Sequence, residues 1–320
     1  MVSFFNSPGL DFSFSPVGET GKGVTVEINN QILMETAYFN GTFTPNSEIR
    51  ISPDDRGFLF ADGIYEVVRW YQGFFYDMEG HLARLKRSMK EIRLNWPDQD
   101  SFPDVAMELI NLNNLQDIPS LVYLQVTRGA AKRSHAFPSP AIDPTVYAFA
   151  RSFRPQAEMI GMGLGAIMKK DTRWSRCDIK SISLLPNILS FQDAIDAGCY
   201  ECIFVRDGMI TECAHSNIFL VIDGILYTHP ESEYVLSGIT RKNVLRIARQ
   251  EAIPVRETAV SESRLNEISE AFITNTSFEI APVISINNIS VGNGKPGPVT
   301  MLLRNKFHDD IALLKSDYRS

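Results

Sequence analysis

Three places in the 320-residue chain carry side chains whose chemistry could be catalytic, and they lie far apart in sequence. The first is Lys180, in RWSRCDIKSISLL. A lysine amine can attack a carbonyl and form a Schiff base when its surroundings lower its pKa and hold an aldehyde against it; a lysine in Asp-Ile-Lys-Ser can equally end a strand. The second is Glu212 in MITECAHSN, a carboxylate closing an apolar alternation, where solvent can satisfy it as readily as a ligand. The third is SGITRKNVLRIARQ, from Ser237. A glycine followed by a hydroxyl residue at a helix start turns unpaired N–H groups and a positive dipole end toward one point, which is a phosphate cup or simply a capped helix. A phosphate cup needs a cation nearby, and Arg84 is the candidate if the fold brings it there.

The elements that would have to position these groups can be read from periodicity and turn signals. Strand-like text runs through VTVEI (24–28) and AYFNGTFTP (37–45), the latter turning at Asn40-Gly41, and through YEVVRWYQGFFY (65–76), turning at Gln72-Gly73. Helices are predicted over 79–92, where Leu82, Leu85, Met89 and Ile92 recur at helical spacing, and over 104–115; strands follow at 121–128 and 145–150. A boundary falls near residues 152–160. The second half reads as strands, a helix over 186–198 stopped by Gly198, and an antiparallel meander or small barrel with turns at Asp207-Gly208 and Asp223-Gly224. Helices over 240–252, 262–268 and 297–315 and a strand at EAFITN complete it. Residues 1–23, rich in Phe, Ser, Pro and Gly, read as an arm.

A hydrophobic fraction of 44% in a chain of this length supports a real core without staples. The net charge of −7, with no basic block, argues against a nucleic-acid footprint or a polybasic membrane patch. No apolar run is long enough to span a bilayer, and the first 23 residues lack a secretory pattern, so the expected location is cytoplasmic. The four cysteines, Cys177, Cys199, Cys202 and Cys213, are expected to be reduced, and neither they nor the five histidines show metal-ligand spacing. Gly161, Gly163 and Ala166 satisfy a dinucleotide fingerprint in form only, because no βαβ unit can be built around them. Gly21-Lys22 is not a P-loop, since Pro16 stands where a glycine is required.

Several ordered blocks go further than spacing can: DDRGFLFADGIYEVVRWY, GHLARLKRS, VTRGAAKRSHAFP, RWSRCDIKS, GCYE, TECAHSN, DGILYTHP, LSGITR and FITNTSFEIAPV. Together they resemble the class IV (fold-type IV) pyridoxal-phosphate aminotransferases, most closely the bacterial D-amino-acid enzymes, over roughly residues 36–290. The resemblance implies an α+β fold with a 1–35 extension, a small 36–155 α+β domain, and a larger 156–320 cofactor-binding domain containing a pseudo-barrel of antiparallel strands and helices. It implies pyridoxal 5'-phosphate held on Lys180 as a Schiff base, Glu212 on the pyridine nitrogen, Arg84, Ile239, Thr240 and Thr276 on the phosphate, and Leu236 against the ring. It implies ping-pong transamination between a D-amino acid such as D-alanine and 2-oxoglutarate. Tyr65, Arg133 and His135 fall at the positions of the family's α-carboxylate trap; by residue content alone KRSHAF is a polar loop. In the family this loop reaches the partner subunit, so a homodimer with a shared site is expected. An (R)-amine or branched-chain L-amino-acid transaminase, and an aminodeoxychorismate lyase, are the alternatives on the same fold.

The chain departs from the D-amino-acid pattern in two blocks. Cys213, Ala214 and His215 replace a run of small residues after the glutamate, and Phe278 replaces a small hydroxyl residue.

Overall fold

The computed structural model describes residues 35–153 and 157–317. The expected strand at 24–28 and the extension 1–34 lie outside them. Two sheets dominate. The first comprises β1 (Thr36–Phe39), β2 (Thr42–Pro45), β3 (Gly63–Trp70), β4 (Ser120–Thr127) and β5 (Thr145–Ser152), in the order β2-β1-β5-β4-β3 with every pairing antiparallel. Alternate residues of β4 and β5 are buried, as the two-residue period requires, and they pack on the helices Met78–Glu91 and Phe102–Leu112 through Leu85, Met89, Val105 and Leu109.

The second sheet has ten strands and curls into a half-barrel. It contains β6 (Leu164–Lys170), β7 (Glu201–Arg206), β8 (Met209–Cys213), β9 (Asn217–Ile222), β10 (Ile225–Thr228), β11 (Val255–Glu257), β12 (Val260–Ser261), β13 (Glu270–Asn275), β14 (Glu279–Ile286) and β15 (Ile289–Ser290). The order is β11-β10-β9-β13-β14-β6-β7-β8-β12, with β15 on β14. The Asp-Gly hairpins form as expected: Asp207 and Asp223 take left-handed backbones, and β7–β8 and β9–β10 pair antiparallel. The meander is not antiparallel throughout. β6 runs parallel to both β7 and β14, and β11 parallel to β10. A helix intervenes in two of these cases, Leu185–Asp196 between β6 and β7 and Ile239–Gln250 between β10 and β11, and a helical crossover returns the chain in the same direction.

Three local details differ from the pattern in the sequence. The turn at Gln72-Gly73 forms, with the Tyr71 N–H donating to the Phe74 carbonyl at 2.9 Å, but beyond it only an isolated bridge joins Trp70 to Phe75 and no second strand follows. A five-residue helix, Arg56–Phe60, forms behind Asp55, whose carboxylate accepts from the Gly57 N–H at 2.7 Å. The buried face of Met78–Glu91 is His81, Arg84, Leu85, Ser88 and Met89, whereas Leu82 and Ile92 are half-buried. That face is rotated because Arg84 has a buried partner on β3.

β3 is an edge strand, and the Lys180 segment docks on it. Tyr65 N–H donates to the Lys180 carbonyl at 3.0 Å, Ile182 N–H donates to the Gly63 carbonyl at 3.1 Å, and Ile64 bridges Ser181. Lys180 is thereby fixed where the two sheets meet.

Candidate active site

A cavity opens beside that junction. Lys180, Tyr65, Arg84, Glu212, Leu236, Ile239, Thr240 and Thr276 all line it, although they come from separate elements. The Lys180 ammonium stands 4.2 Å from the centre of the Tyr65 ring, and its backbone N–H donates to Ser88 Oγ at 3.3 Å.

Glu212 ends β8 and is almost sealed from solvent. Its Oε1 accepts from Arg173 Nη1 at 2.5 Å; its Oε2 accepts from Asn217 Nδ2 at 3.1 Å and from the Leu236 N–H at 3.0 Å. Burial pushes its pKa up to about 7 against the pull of Arg173 and of these hydrogen bonds. Arg173 is gripped in turn by Asp171, Nε to Oδ1 and Nη2 to Oδ2 both at 3.0 Å, and its guanidinium lies over the Phe204 ring. Burial opposes the charge on Arg173, but Glu212 and Asp171 outweigh it and keep the guanidinium protonated.

Arg84 makes a fork with Glu66, Nε to Oε2 at 3.0 Å and Nη2 to Oε1 at 2.6 Å, and its Nη1 donates to the Ser237 carbonyl at 3.1 Å. Glu66 is fully buried and also contacts His81 Nδ1 at 3.0 Å. Burial works to raise the Glu66 pKa, and Arg84 and His81 overcome it, holding the carboxyl well below the usual range. Burial in turn pushes the His81 pKa down, against the pull of Glu66.

Arg84 meets the start of helix Ile239–Gln250 through Ser237. No side chain caps that start. Gly238 allows a close approach there: a Cβ on it would lie 1.9 Å from Asn217 Oδ1. Thr240 is buried in the first turn, and Thr274, also on the cavity, has a buried hydroxyl with no partner among the described residues. An uncapped helix start beside a guanidinium and a spare hydroxyl suits a small, multiply charged anion.

Arg133 and His135 do not line this cavity. Both are exposed, and both pack on Phe60, Arg133 at 4.9 Å and His135 at 5.5 Å from its ring centre. Arg56 fastens their loop by donating to the Ser134 carbonyl at 2.6 Å.

Sequence reasoning passed over Glu66, His81, Arg173, Asn217 and Glu201. One of them carried a signal. Glu66 shares the buried parity of β3 with Ile64 and Val68, and a carboxylate on an apolar face must find a partner. The four cysteines are free thiols, and no group of residues able to hold a metal occurs among the described residues.

The family described as class IV amino-transferases matches residues 63–286. The D-alanine aminotransferase of Staphylococcus haemolyticus is 39% identical over 276 residues, covering 86% of this chain and 97% of that protein. The D-alanine aminotransferase of Bacillus licheniformis is 36% identical over 274 residues, covering 85% and 96%. Among solved structures, the Escherichia coli branched-chain amino acid aminotransferase superposes with a TM-score of 0.80 at 24% identity, covering 86% of this chain and 94% of its own. The branched-chain amino acid aminotransferase of Thermobaculum terrenum, in its PLP-bound holo-form, gives 0.78 at 23% identity, covering 90% and 97%.

Proposed function

This chain belongs to the class IV aminotransferases, and we propose that it moves the amino group of a D-amino acid such as D-alanine to a 2-oxo acid such as 2-oxoglutarate, with pyridoxal 5'-phosphate as cofactor. The observation that carries this reading is the meeting of Lys180, Glu212 and Arg84 on one cavity that also contains an uncapped helix start. The D-alanine aminotransferases among the relatives support the choice of donor.

The cavity residues fit that cofactor. Arg84, the backbone of Ile239 and the hydroxyls of Thr240 and Thr276 would hold the phosphate, Leu236 would lie against the ring, and Glu212 would hold the ring nitrogen. Lys180 would bond the aldehyde carbon. When bound, pyridoxal phosphate supplies the electron sink that lets a substrate Cα give up its proton. Lys180 Nζ is then the base that takes the Cα proton and the acid that delivers it again. Glu212, ionised above its raised pKa and steadied by Arg173, keeps a compensating negative charge where the ring nitrogen would be. Tyr65 would hold the substrate α-carboxylate together with Arg133 of the partner subunit and His135 of the partner subunit, a planar fork flanked by two single donors. A homodimer is part of this reading. The exposed Phe58, Leu185, Ile188 and Leu189 support it, because that much uncovered apolar surface calls for a partner.

A donor panel tests the proposal, with 2-oxoglutarate or pyruvate as acceptor and D-alanine, D-glutamate, L-leucine and (R)-1-phenylethylamine as donors. D-alanine should be used at least about 100-fold better than L-leucine, a gap of about 2.7 kcal/mol in transition-state binding. Preference for L-leucine or the amine would overturn the D-amino-acid reading, and multiple-turnover release of pyruvate from aminodeoxychorismate with no 2-oxo acid present would point to lyase chemistry. Borohydride reduction with pyridoxal phosphate should attach the cofactor to the peptide containing Lys180.

A further inference from the structure

His215 lies on the same cavity as Lys180, and it has no counterpart in the D-amino-acid pattern described above. It sits in the tight turn of residues 213–216, which is closed by the Cys213 N–H donating to the Ser216 carbonyl at 2.8 Å and tied to the neighbouring helix by Asn187 Nδ2 on the Ala214 carbonyl at 2.7 Å. Its Nδ1 is 2.9 Å from Glu201 Oε2. Glu201 is wholly buried, and its oxygens also accept from the N–H groups of Cys202 and Ala214 and from the Ser216 hydroxyl. With Glu201 Oε2 set as an acceptor beside it, Nδ1 is the nitrogen that carries a His215 proton.

The other nitrogen, Nε2, has no partner among the described residues. The ring is steadied edge-on by Phe191 at 4.8 Å and by Phe278 at 6.0 Å, and its side chain keeps 39% of its surface open. Burial draws the His215 pKa down, Glu201 more than restores it, and Lys180 opposes; the net direction is upward, which favours a charged ring. The two arginines of the cavity have commitments, Arg173 to Asp171 and Glu212 and Arg84 to Glu66, and Lys180 is the amine assigned to the aldehyde in the reading above.

We propose that His215 is a specificity-determining residue, whose Nε2–H receives the distal carboxylate of a dicarboxylic substrate, an acidic D-amino acid or its 2-oxo acid. This rests on the D-amino-acid reading above for the identity of the donor, and not for the recognition of a second carboxylate. Phe191 and Phe278 brace the imidazole without offering an anion a donor of their own.

The experiment compares the holoenzyme with H215Q and, should that variant fold poorly, H215S. Two readouts are taken: the ratio of kcat/KM for D-glutamate to that for D-alanine, and the affinities of glutarate and butyrate by calorimetry. In the variants the D-glutamate to D-alanine ratio should fall at least about tenfold, mostly through KM, and glutarate should lose at least about tenfold of its preference over butyrate, as expected for one charge-assisted hydrogen bond. H215K should recover part of both. If D-glutamate and D-alanine decline together, or the glutarate preference persists in H215Q, the assignment is wrong and His215 merely supports the turn. Should the wild type prefer L-leucine instead, the donor reading fails, while the glutarate and butyrate affinities still decide the role of His215.

Discussion

Arg173 Nη1 and Glu212 Oε1 meet at 2.5 Å, with 5% and 6% of their side-chain surfaces exposed. The same guanidinium is also forked to Asp171. Asp171 therefore shares the positive charge that Glu212 would otherwise have to itself. That sharing and burial together leave the Glu212 pKa at about 7 despite so close a cation.

A pH dependence of folding follows. A glutamate in the unfolded chain titrates near about 4.3, whereas folded Glu212 titrates at about 7. Between those values the folded apo protein holds a proton that the unfolded chain has released. Its contribution is complete below the lower value, is lost as pH rises through the upper one, and is flat beyond it. Urea unfolding of the apo protein at pH 5 and pH 8 should show wild type losing up to about 3 kcal/mol more than Glu212→Gln over that interval. Parallel behaviour of the two proteins would refute the assignment.

Removing Arg173 acts in the opposite sense to removing Glu212. Arg173→Met takes away a charge that lowers the Glu212 pKa, so the acidic limb of the kcat profile should move to higher pH, with kcat at neutral pH reduced roughly 10- to 100-fold, as for loss of an outer-shell partner. Arg173→Lys should restore part of the activity. A reduced kcat with an unmoved limb would mean that Arg173 only packs against Phe204.

Arg84 has a structural duty and a binding one, and they can be separated. Arg84→Met leaves buried Glu66 with only His81 and the Val67 N–H and without its guanidinium, which should cost about 3 to 5 kcal/mol of stability. Adding Glu66→Leu removes the stranded charge and should recover most of it. The double variant should still bind pyridoxal phosphate at least about tenfold more weakly than wild type in an absorbance titration. Recovery of cofactor affinity along with stability would deny Arg84 a place on the phosphate.

Subunit mixing tests the shared site. Lys180→Ala and Arg133→Ala proteins, each inactive or poorly active with D-alanine, should on co-expression regain roughly a quarter of wild-type activity, because random pairing makes half the dimers mixed and each mixed dimer carries one intact site. Activity no higher than the average of the parents would place Arg133 outside the partner's site.

What could be read from the sequence divides along chain distance. Turns such as Asp207-Gly208 and Asp223-Gly224 are legible because two adjacent residues with left-handed backbones decide them. The parallel pairing of β6 was not, since no local pattern says which strand a crossover returns to. At the site, Lys180, Glu212 and the helix start at Gly238 were each visible as residue types with open alternatives, and the family resemblance joined them. Arg173 reaches Glu212 across 39 positions and Arg84 reaches Glu66 across 18, so neither contact leaves a periodic trace. Glu66 was the exception, betrayed by an acidic residue on the inward face of β3. His215 was noticed as a departure from the family, but its tie to Glu201 needed the fold.

Asn217 connects the two ends of the cavity. Its amide nitrogen donates to Glu212 Oε2 and to the Leu236 carbonyl, and its amide oxygen occupies the space that a side chain at position 238 would need. One short, planar group thus spans from the carboxylate to the lip of the helix start, with no rotatable slack left over. It works as a gauge block: a single amide sets the distance between the two anchor points at this end of the cavity. The turn bearing His215 joins Glu212 to Asn217 along the chain, and its own side ties run elsewhere, to Glu201 and to Asn187.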